Sequence, residues 1–194
     1  AGYEADKLTI QLLNLRTKER RTLAAGWDRS VGSIAWTRDS RALIVTAQDV
    51  LDTPAFRIEL ASGKVTRLKL APKGLTEGHI GNVTPLADGR ILFTRDSIAN
   101  PAEVYLGAPG KAPRQLSSGN TGALAALTPV STTRYSFAGA GGATVWGQIH
   151  KPADAAGPLP VLLFVHGGPQ GSYNDAWSNR WNPRVFASQG YAVV

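Results

Sequence analysis

The chain has 194 residues, of which 43% are hydrophobic and 18% are charged, a balance typical of a soluble globular protein with a sizeable core. Cysteine is absent, which excludes disulfides, a thiol nucleophile and cysteine-bound metal. The formal net charge is +7, but the cations are scattered and no apolar run approaches the roughly 18 residues of a membrane span. We therefore expect neither nucleic acid nor a membrane as a partner.

Cofactors are not expected either. The histidines at 79, 150 and 166 lack the spacing of metal ligands, and the glycine-rich stretch 138–142 lacks the strand–turn–helix context of a nucleotide-binding loop. A hairpin turn is the better interpretation of that stretch. These patterns leave the compartment open between cytoplasm and periplasm.

Residues 8 to about 117 contain a degenerate repeat. The stretch 39–46 resembles 88–94, and the spacing between Asp39 and Asp88 is 88 − 39 = 49. Each unit is predicted to form four short strands separated by turn residues, which indicates a β-propeller blade. Only about two and a half blades fit, and an open stack would leave long unpaired edges. We expect residues 1–118 to be the C-terminal blades of a larger propeller.

The pattern then changes. Residues 119–131 are small and polar, as in a connection between domains. From 132 onward, two alternating strands, a buried strand at 161–165, a helix that begins at Asn182-Pro183 and a last strand at 191–194 are predicted. A strand–helix–strand order indicates a parallel unit, so residues 132–194 are predicted to be the start of an α/β domain.

The most informative stretch is the one that follows the strand 161–165. Its five apolar residues predict burial on both faces, and they run directly into His166-Gly167-Gly168-Pro169. Paired glycines let backbone N–H groups approach a reacting atom, as an oxyanion hole requires. An ordinary tight turn beside a structural histidine explains the same residues. Ser172 and His79 fall in predicted loops, where the default is no chemical role.

Taken together, the repeat, the segment Leu163–Ser172 and the segments 181–183 and 190–194 resemble the prolyl oligopeptidase family of serine peptidases, in its acylaminoacyl-peptidase and dipeptidyl-peptidase-like branch. The resemblance implies a seven-bladed propeller that caps an α/β-hydrolase domain, with peptides cleaved between them. It implies that Gly168 donates its N–H to the oxyanion, that Gly167 allows the turn, and that His166 has a supporting role instead of membership of the catalytic triad.

The chain does not contain the rest of this chemistry. The nucleophile of such hydrolases lies in Gly-x-Ser-x-Gly, followed by Asp and His, and no such pentapeptide occurs here. We expect this chain to be inactive alone and to need the remainder of the same protein, either on the same polypeptide or as a separate chain, with a peptide as substrate. The alternatives are a non-catalytic propeller interaction module and an esterase of the same fold.

Overall fold

A computed structural model describes residue 3 and residues 6–108, 110–167 and 171–194. Its elements are fourteen strands and two short α-helices within these residues, with a 3-10 turn at Ala140–Gly142. In chain order they are β1 (Ile10–Leu13), β2 (Arg20–Leu23), β3 (Val31–Trp36), β4 (Ala42–Ala47), β5 (Ala55–Glu59), β6 (Val65–Arg67), β7 (His79–Pro85), β8 (Ile91–Ser97), β9 (Asn100–Ala108), β10 (Lys111–Gln115), α1 (Thr121–Ala125), β11 (Val130–Ala138), β12 (Thr144–Pro152), β13 (Val161–Leu162), α2 (Pro183–Ala187) and β14 (Ala192–Val193).

The predicted four-strand units are present. Strands β3–β6 form one antiparallel sheet in chain order and β7–β10 form a second, while β1 and β2 form a separate hairpin. In both four-stranded sheets the first hairpin turn places a residue in the left-handed region, Ser40 at φ 54° and Gly89 at φ 81°. The aspartate before each accepts a hydrogen bond from the backbone N–H two residues on, at 3.1 Å in both. The sequence repeat is thus a repeat of local turn chemistry.

The last hairpin of each unit repeats as well. Lys18, Gly63 and Gly110 all have positive φ, of 63°, 71° and 69°, and their spacings are 63 − 18 = 45 and 110 − 63 = 47. Glycine adopts this conformation without steric cost, which explains why two of the three hairpins carry it. The equivalence supports the assignment of β1–β2 as the last two strands of a further unit.

Two buried clusters lie on the two faces of β4. Leu43 and Val45 pack with Ile10, Leu23 and Ile58 on one face. From the other face, Ile44 joins a cluster with Ile80, Phe93 and Tyr105 of the second sheet and with Leu70 of the segment that leads to it. Alternate residues of a strand point to opposite faces, so a continuous apolar strand between two layers is buried throughout. The sheets therefore pack face to face through β4.

The C-terminal sheet differs in topology. Its strand order is β11–β12–β14–β13, with β11 antiparallel to β12 and β13 parallel to β14. The connection between β13 and β14 contains α2, which begins as predicted: the Asn182 side chain accepts a hydrogen bond from Arg184 N at 3.0 Å. Gly190 follows the helix with φ 94°, as a C-terminal glycine does. The predicted parallel strand–helix–strand unit is confirmed.

The prediction of a strand buried on both faces at 161–165 was wrong. Only Val161 and Leu162 pair as a strand, and the exposed fractions of Val161, Leu163 and Val165 are 69%, 68% and 77%. Strand β13 is the edge of its sheet, and the described residues cover only the face that carries Phe164. Its ring lies 5.3 Å from the Phe186 ring and 5.7 Å from the Tyr173 ring.

Two further differences concern the connection and a predicted loop. The segment 119–131 contains the helix α1, and β11 already begins at Val130. His79 is the first residue of β7 instead of a loop residue, because it pairs with Asp96 of β8; it also forms an isolated parallel bridge with Thr53 of the β4–β5 connection. Among the described residues there is no helix of the length and apolarity that a membrane crossing needs.

Candidate active site

A cavity of about 560 Å³ lies between the C-terminal sheet and the loop 171–181. Its walls are mainly aromatic and aliphatic, and His166 lies at one side of it. The aromatic lining residues are Tyr135, Phe137, Trp146, Phe164, Tyr173, Trp177 and Trp181. A concave site of this size with apolar walls and a few polar groups is typical of a ligand pocket.

The residues of the predicted oxyanion loop are placed in part. Phe164 N donates a hydrogen bond to Val194 O at 2.7 Å, so the chain runs beside β14 up to the start of this loop. The His166 ring is perpendicular to the Tyr173 ring, with centroids 6.2 Å apart. Gly167 has open space where a Cβ would lie and no positive φ, so neither space nor backbone conformation demands glycine there. Gly168, the predicted donor, lies outside the described residues.

Ser172 has the contacts of a structural residue. Its hydroxyl accepts a hydrogen bond from Gln48 Nε2 at 2.7 Å and donates to Asn174 Oδ1 at 3.1 Å. Neither amide is able to take a proton from the hydroxyl, whereas a serine nucleophile needs an adjacent base. These contacts agree with the view that Ser172 is not the nucleophile.

A buried carboxylate joins the loop 171–181 to the N-terminal sheets. Asp175 is 5% exposed, and its carboxylate accepts hydrogen bonds from Ile98 N at 2.8 Å and Thr76 Oγ at 2.6 Å. Arg134 donates to Asp175 at 2.8 Å and bidentately to Asp52 at 2.7 and 2.8 Å. The bond to Asp52 is the main cause that raises the pKa of Arg134. Such charge-assisted pairs fix the geometry of the groups that they join.

A second carboxylate extends this contact region. Asp96 accepts a hydrogen bond from Trp177 N at 2.7 Å, and its other oxygen lies 2.8 Å from His79 Nδ1. The hydrogen bond to Asp96 raises the pKa of His79. His79 therefore orients the carboxylate that holds the loop, and none of its contacts places it at the cavity.

Polar groups of β12 lie beneath the cavity. His150 is 3% exposed and lies 2.9 Å from Thr132 Oγ. Burial lowers its pKa to about 4, and the positive charge of Arg184 adds to this effect. Gln148, a second buried residue of the same strand, lines the cavity, and its Oε1 has no hydrogen-bond partner within the part of the chain that the structure describes. Gln148 Oε1 is thus a buried acceptor without a partner among these residues, two positions along β12 from an imidazole whose pKa is lowered by burial.

The carboxylates of this region serve as hydrogen-bond acceptors. In residue 3 and residues 6–108, 110–167 and 171–194, no group of three or more His, Asp or Glu side chains is arranged to hold a metal ion. The acids that matter here each face an arginine, a histidine or backbone N–H groups.

Sequence reasoning missed the residues that position the loop. Asp52, Arg134 and Asp175 are separated by 134 − 52 = 82 and 175 − 134 = 41 residues, and none lies in a recognisable motif. The only local signal is the occurrence of Asp175 and the aromatic Trp177 close together in the polar loop that follows the glycine motif. Contacts over such separations depend on the packing of the two regions.

No protein-family model matches the chain. The probable dipeptidyl-peptidase 5 of Aspergillus clavatus is 35% identical over 205 aligned positions, which cover 99% of this chain and 27% of that protein. The dipeptidyl-peptidase 5 of Arthroderma otae is 33% identical over 202 positions, with 100% and 27% covered. The chain thus spans about a quarter of the length of the curated relatives it matches.

Solved structures agree on the fold. The acylaminoacyl peptidase of Pyrococcus horikoshii superposes with a TM-score of 0.71 at 22% identity, covering 90% of this chain and 26% of that one. One of two structurally characterised prolyl endopeptidases superposes with a TM-score of 0.58 at 17% identity, covering 95% and 26%.

The resemblance to peptidases found in the sequence motifs is therefore confirmed: nearly the whole chain is similar to proteins named dipeptidyl-peptidase 5, and its fold is shared with an acylaminoacyl peptidase and a prolyl endopeptidase.

Proposed function

We propose that the chain is a segment of a serine peptidase that cleaves short peptides through an acyl-enzyme. In this proposal residues 1–118 are propeller blades, 119–131 connect the domains, and 132–194 begin an α/β-hydrolase domain. The observation that carries it is the match of nearly the whole chain to proteins named as peptidases. The strand order β11–β12–β14–β13 with one parallel pair and the four-stranded antiparallel units are consistent with those two domain types.

The residues of this chain would act by binding and by stabilising charge. Gly168 would donate its backbone N–H to the oxyanion that forms when a nucleophile attacks the scissile carbonyl, and Gly167 would lead the backbone to that position. The nucleophile, the acid and the histidine of the triad would come from residues outside this sequence. The 560 Å³ cavity would hold part of the peptide.

Replacing one backbone donor tests this assignment. Gly168→Pro removes the N–H, whereas Gly168→Ala keeps it and serves as the matched control. In the extended polypeptide, which adds the parent protein's sequence on both sides of this chain, we expect Gly168→Pro to lower kcat on dipeptidyl substrates by about 10²- to 10³-fold, the usual effect of losing one oxyanion donor. Gly168→Ala should retain most of the activity.

The same assay separates the alternatives. Normal kcat in Gly168→Pro would overturn the oxyanion assignment. Turnover of simple esters without turnover of peptides would favour an esterase. Failure of the extended polypeptide to hydrolyse either, with its fold intact by circular dichroism, would favour a non-catalytic interaction module.

A further inference from the structure

A larger cavity, of about 880 Å³, lies between the two four-stranded sheets. It is lined by the turns that join β3 to β4, β7 to β8 and β9 to β10, and by residues 67–71 that lead from one sheet to the other. In an antiparallel sheet, successive connections alternate between its two ends. The cavity therefore lies at the opposite end from the β4–β5 and β8–β9 connections, which contact Asp175.

The floor of this cavity is apolar and closely packed. Ile44 and Leu70 contribute to it and are only 3% and 5% exposed. Gly107 also lines it, and a Cβ on Gly107 would lie 2.7 Å from Leu70 Cδ2. Leu70 thus packs directly against the backbone of β9, and the surface there is apolar. Leu68 and Ile91 extend that surface.

The rim has an excess of positive charge. Six of its side chains are cationic and one, Asp39, is acidic. Three of the arginines are compensated, since Arg57 pairs with Glu59, Arg67 with Asp49 and Glu77, and Arg90 with Asp88. The other three cations are exposed and form no ion pair within the described residues: Arg38, Lys69 and Lys111.

Asp39 offsets only part of this excess. Its Oδ1 accepts hydrogen bonds from Thr37 Oγ at 2.7 Å and from Arg41 N at 3.1 Å, so that carboxylate oxygen is engaged in its own turn. Three uncompensated cations therefore face one carboxylate around an apolar floor. An anionic group at the rim would be attracted, while an apolar chain attached to it would lose contact with water on the floor.

We propose that this cavity binds a small amphipathic anion, a carboxylate carried by an apolar chain. The volume lies within the roughly 300–1,000 Å³ of ligand pockets, and walls on two sheets and three turns favour a small molecule over a protein segment. The carboxylate contacts Lys69 and Lys111, and the chain lies over Leu68, Leu70 and Ile91. The site is separate from the proposed peptide cavity.

Calorimetry with decanoate and with decanol as probes tests the proposal on the 194-residue chain. We expect decanoate to bind, with an affinity that falls as salt rises, and decanol to bind at least about tenfold more weakly. The double variant Lys69→Gln/Lys111→Gln should lose about tenfold in decanoate affinity. The matched control is Lys64→Gln, an exposed lysine that does not line the cavity, and it should bind decanoate as the unmodified chain does.

Three outcomes would overturn the proposal. One is equal binding of decanol and decanoate, which would mean that charge plays no part. Another is unchanged decanoate affinity in the double variant, whose fold is checked by circular dichroism. The third is binding of an acidic hexapeptide without binding of decanoate, which would assign the surface to a protein partner.

Discussion

Strand β4 and the segment 161–165 have similar apolar sequences and opposite environments. In β4, Leu43 and Val45 are 1% and 0% exposed, whereas Leu163 and Val165 are 68% and 77% exposed. The difference lies in the neighbours: β4 has a strand on each side and a packed cluster on each face, but β13 is an edge strand with one face covered. A continuous apolar run thus indicates a strand suited to two-sided burial, while the burial itself depends on other elements.

The largest effect is expected from a matched pair of leucines. Leu43→Ala opens a cavity in the first cluster and should lower the free energy of unfolding by about 2 to 5 kcal/mol. Leu163→Ala removes a mostly exposed side chain and should change the free energy of unfolding by less than about 0.5 kcal/mol. Urea denaturation of both variants measures the difference. Equal losses would show that the 161–165 segment is buried in solution, which would remove the contrast between the two regions.

The pH dependence of stability should show the effect of protonating the buried histidine of the C-terminal sheet. The folded-state pKa of His150 is about 4, below its ordinary value of 6.5, so the unfolded chain binds the proton more readily. The contribution of His150 to the free energy of unfolding is therefore fully present above pH 6.5. It is lost as the pH falls towards 4, by about 3 kcal/mol in all.

The contribution of His79 to stability changes with pH in the opposite direction. Its pKa is raised, so its contribution is present below about pH 6.5 and is lost as the pH rises through the folded-state value. Stability measured between pH 8 and 4 should consequently fall less in His150→Gln than in the unmodified chain, and fall more in His79→Asn. Parallel curves for all three proteins would contradict both assignments.

A smaller effect is expected from the carboxylate that joins the two regions. Asp175→Asn removes the charge that faces Arg134 and one acceptor for Thr76, and should lower the free energy of unfolding by about 2 kcal/mol. Asp88→Asn is the control, because Asp88 is exposed and pairs only with its neighbour Arg90. The two variants should differ in urea midpoint, and indistinguishable midpoints would mean that the contact between the regions contributes little.

Local chemistry explains which parts of the fold were predictable. The turn aspartates at 39 and 88, and the left-handed hairpin residues, specify the four-strand units within a residue or two. Asn182 and Gly190 delimit α2 in the same way, because a cap is satisfied within its own turn. In contrast, α1 contains Gly122 and has no side-chain cap, so no local signal marks it.

The oxyanion role of Gly167 and Gly168 stays a prediction from the motif, because Gly168 lies outside the described residues. The surroundings of the candidate site were not predictable. Asp52, Asp96, Arg134 and Asp175 come together only when the sheets pack, over separations that no local pattern encodes. The burial of 161–165 was mispredicted for the same reason, since an edge position is a property of the whole sheet.

Labelling with a fluorophosphonate probe, which reacts with activated serines, tests the central claim most directly. The 194-residue chain should remain unlabelled, because the Ser172 hydroxyl faces amides and not a base. The extended polypeptide, with the parent protein's sequence on both sides of this chain, should be labelled at a single serine in the added part, identified by peptide mass mapping. Labelling of Ser172 or any other serine of this chain, or no labelling of the extended polypeptide, would contradict the account.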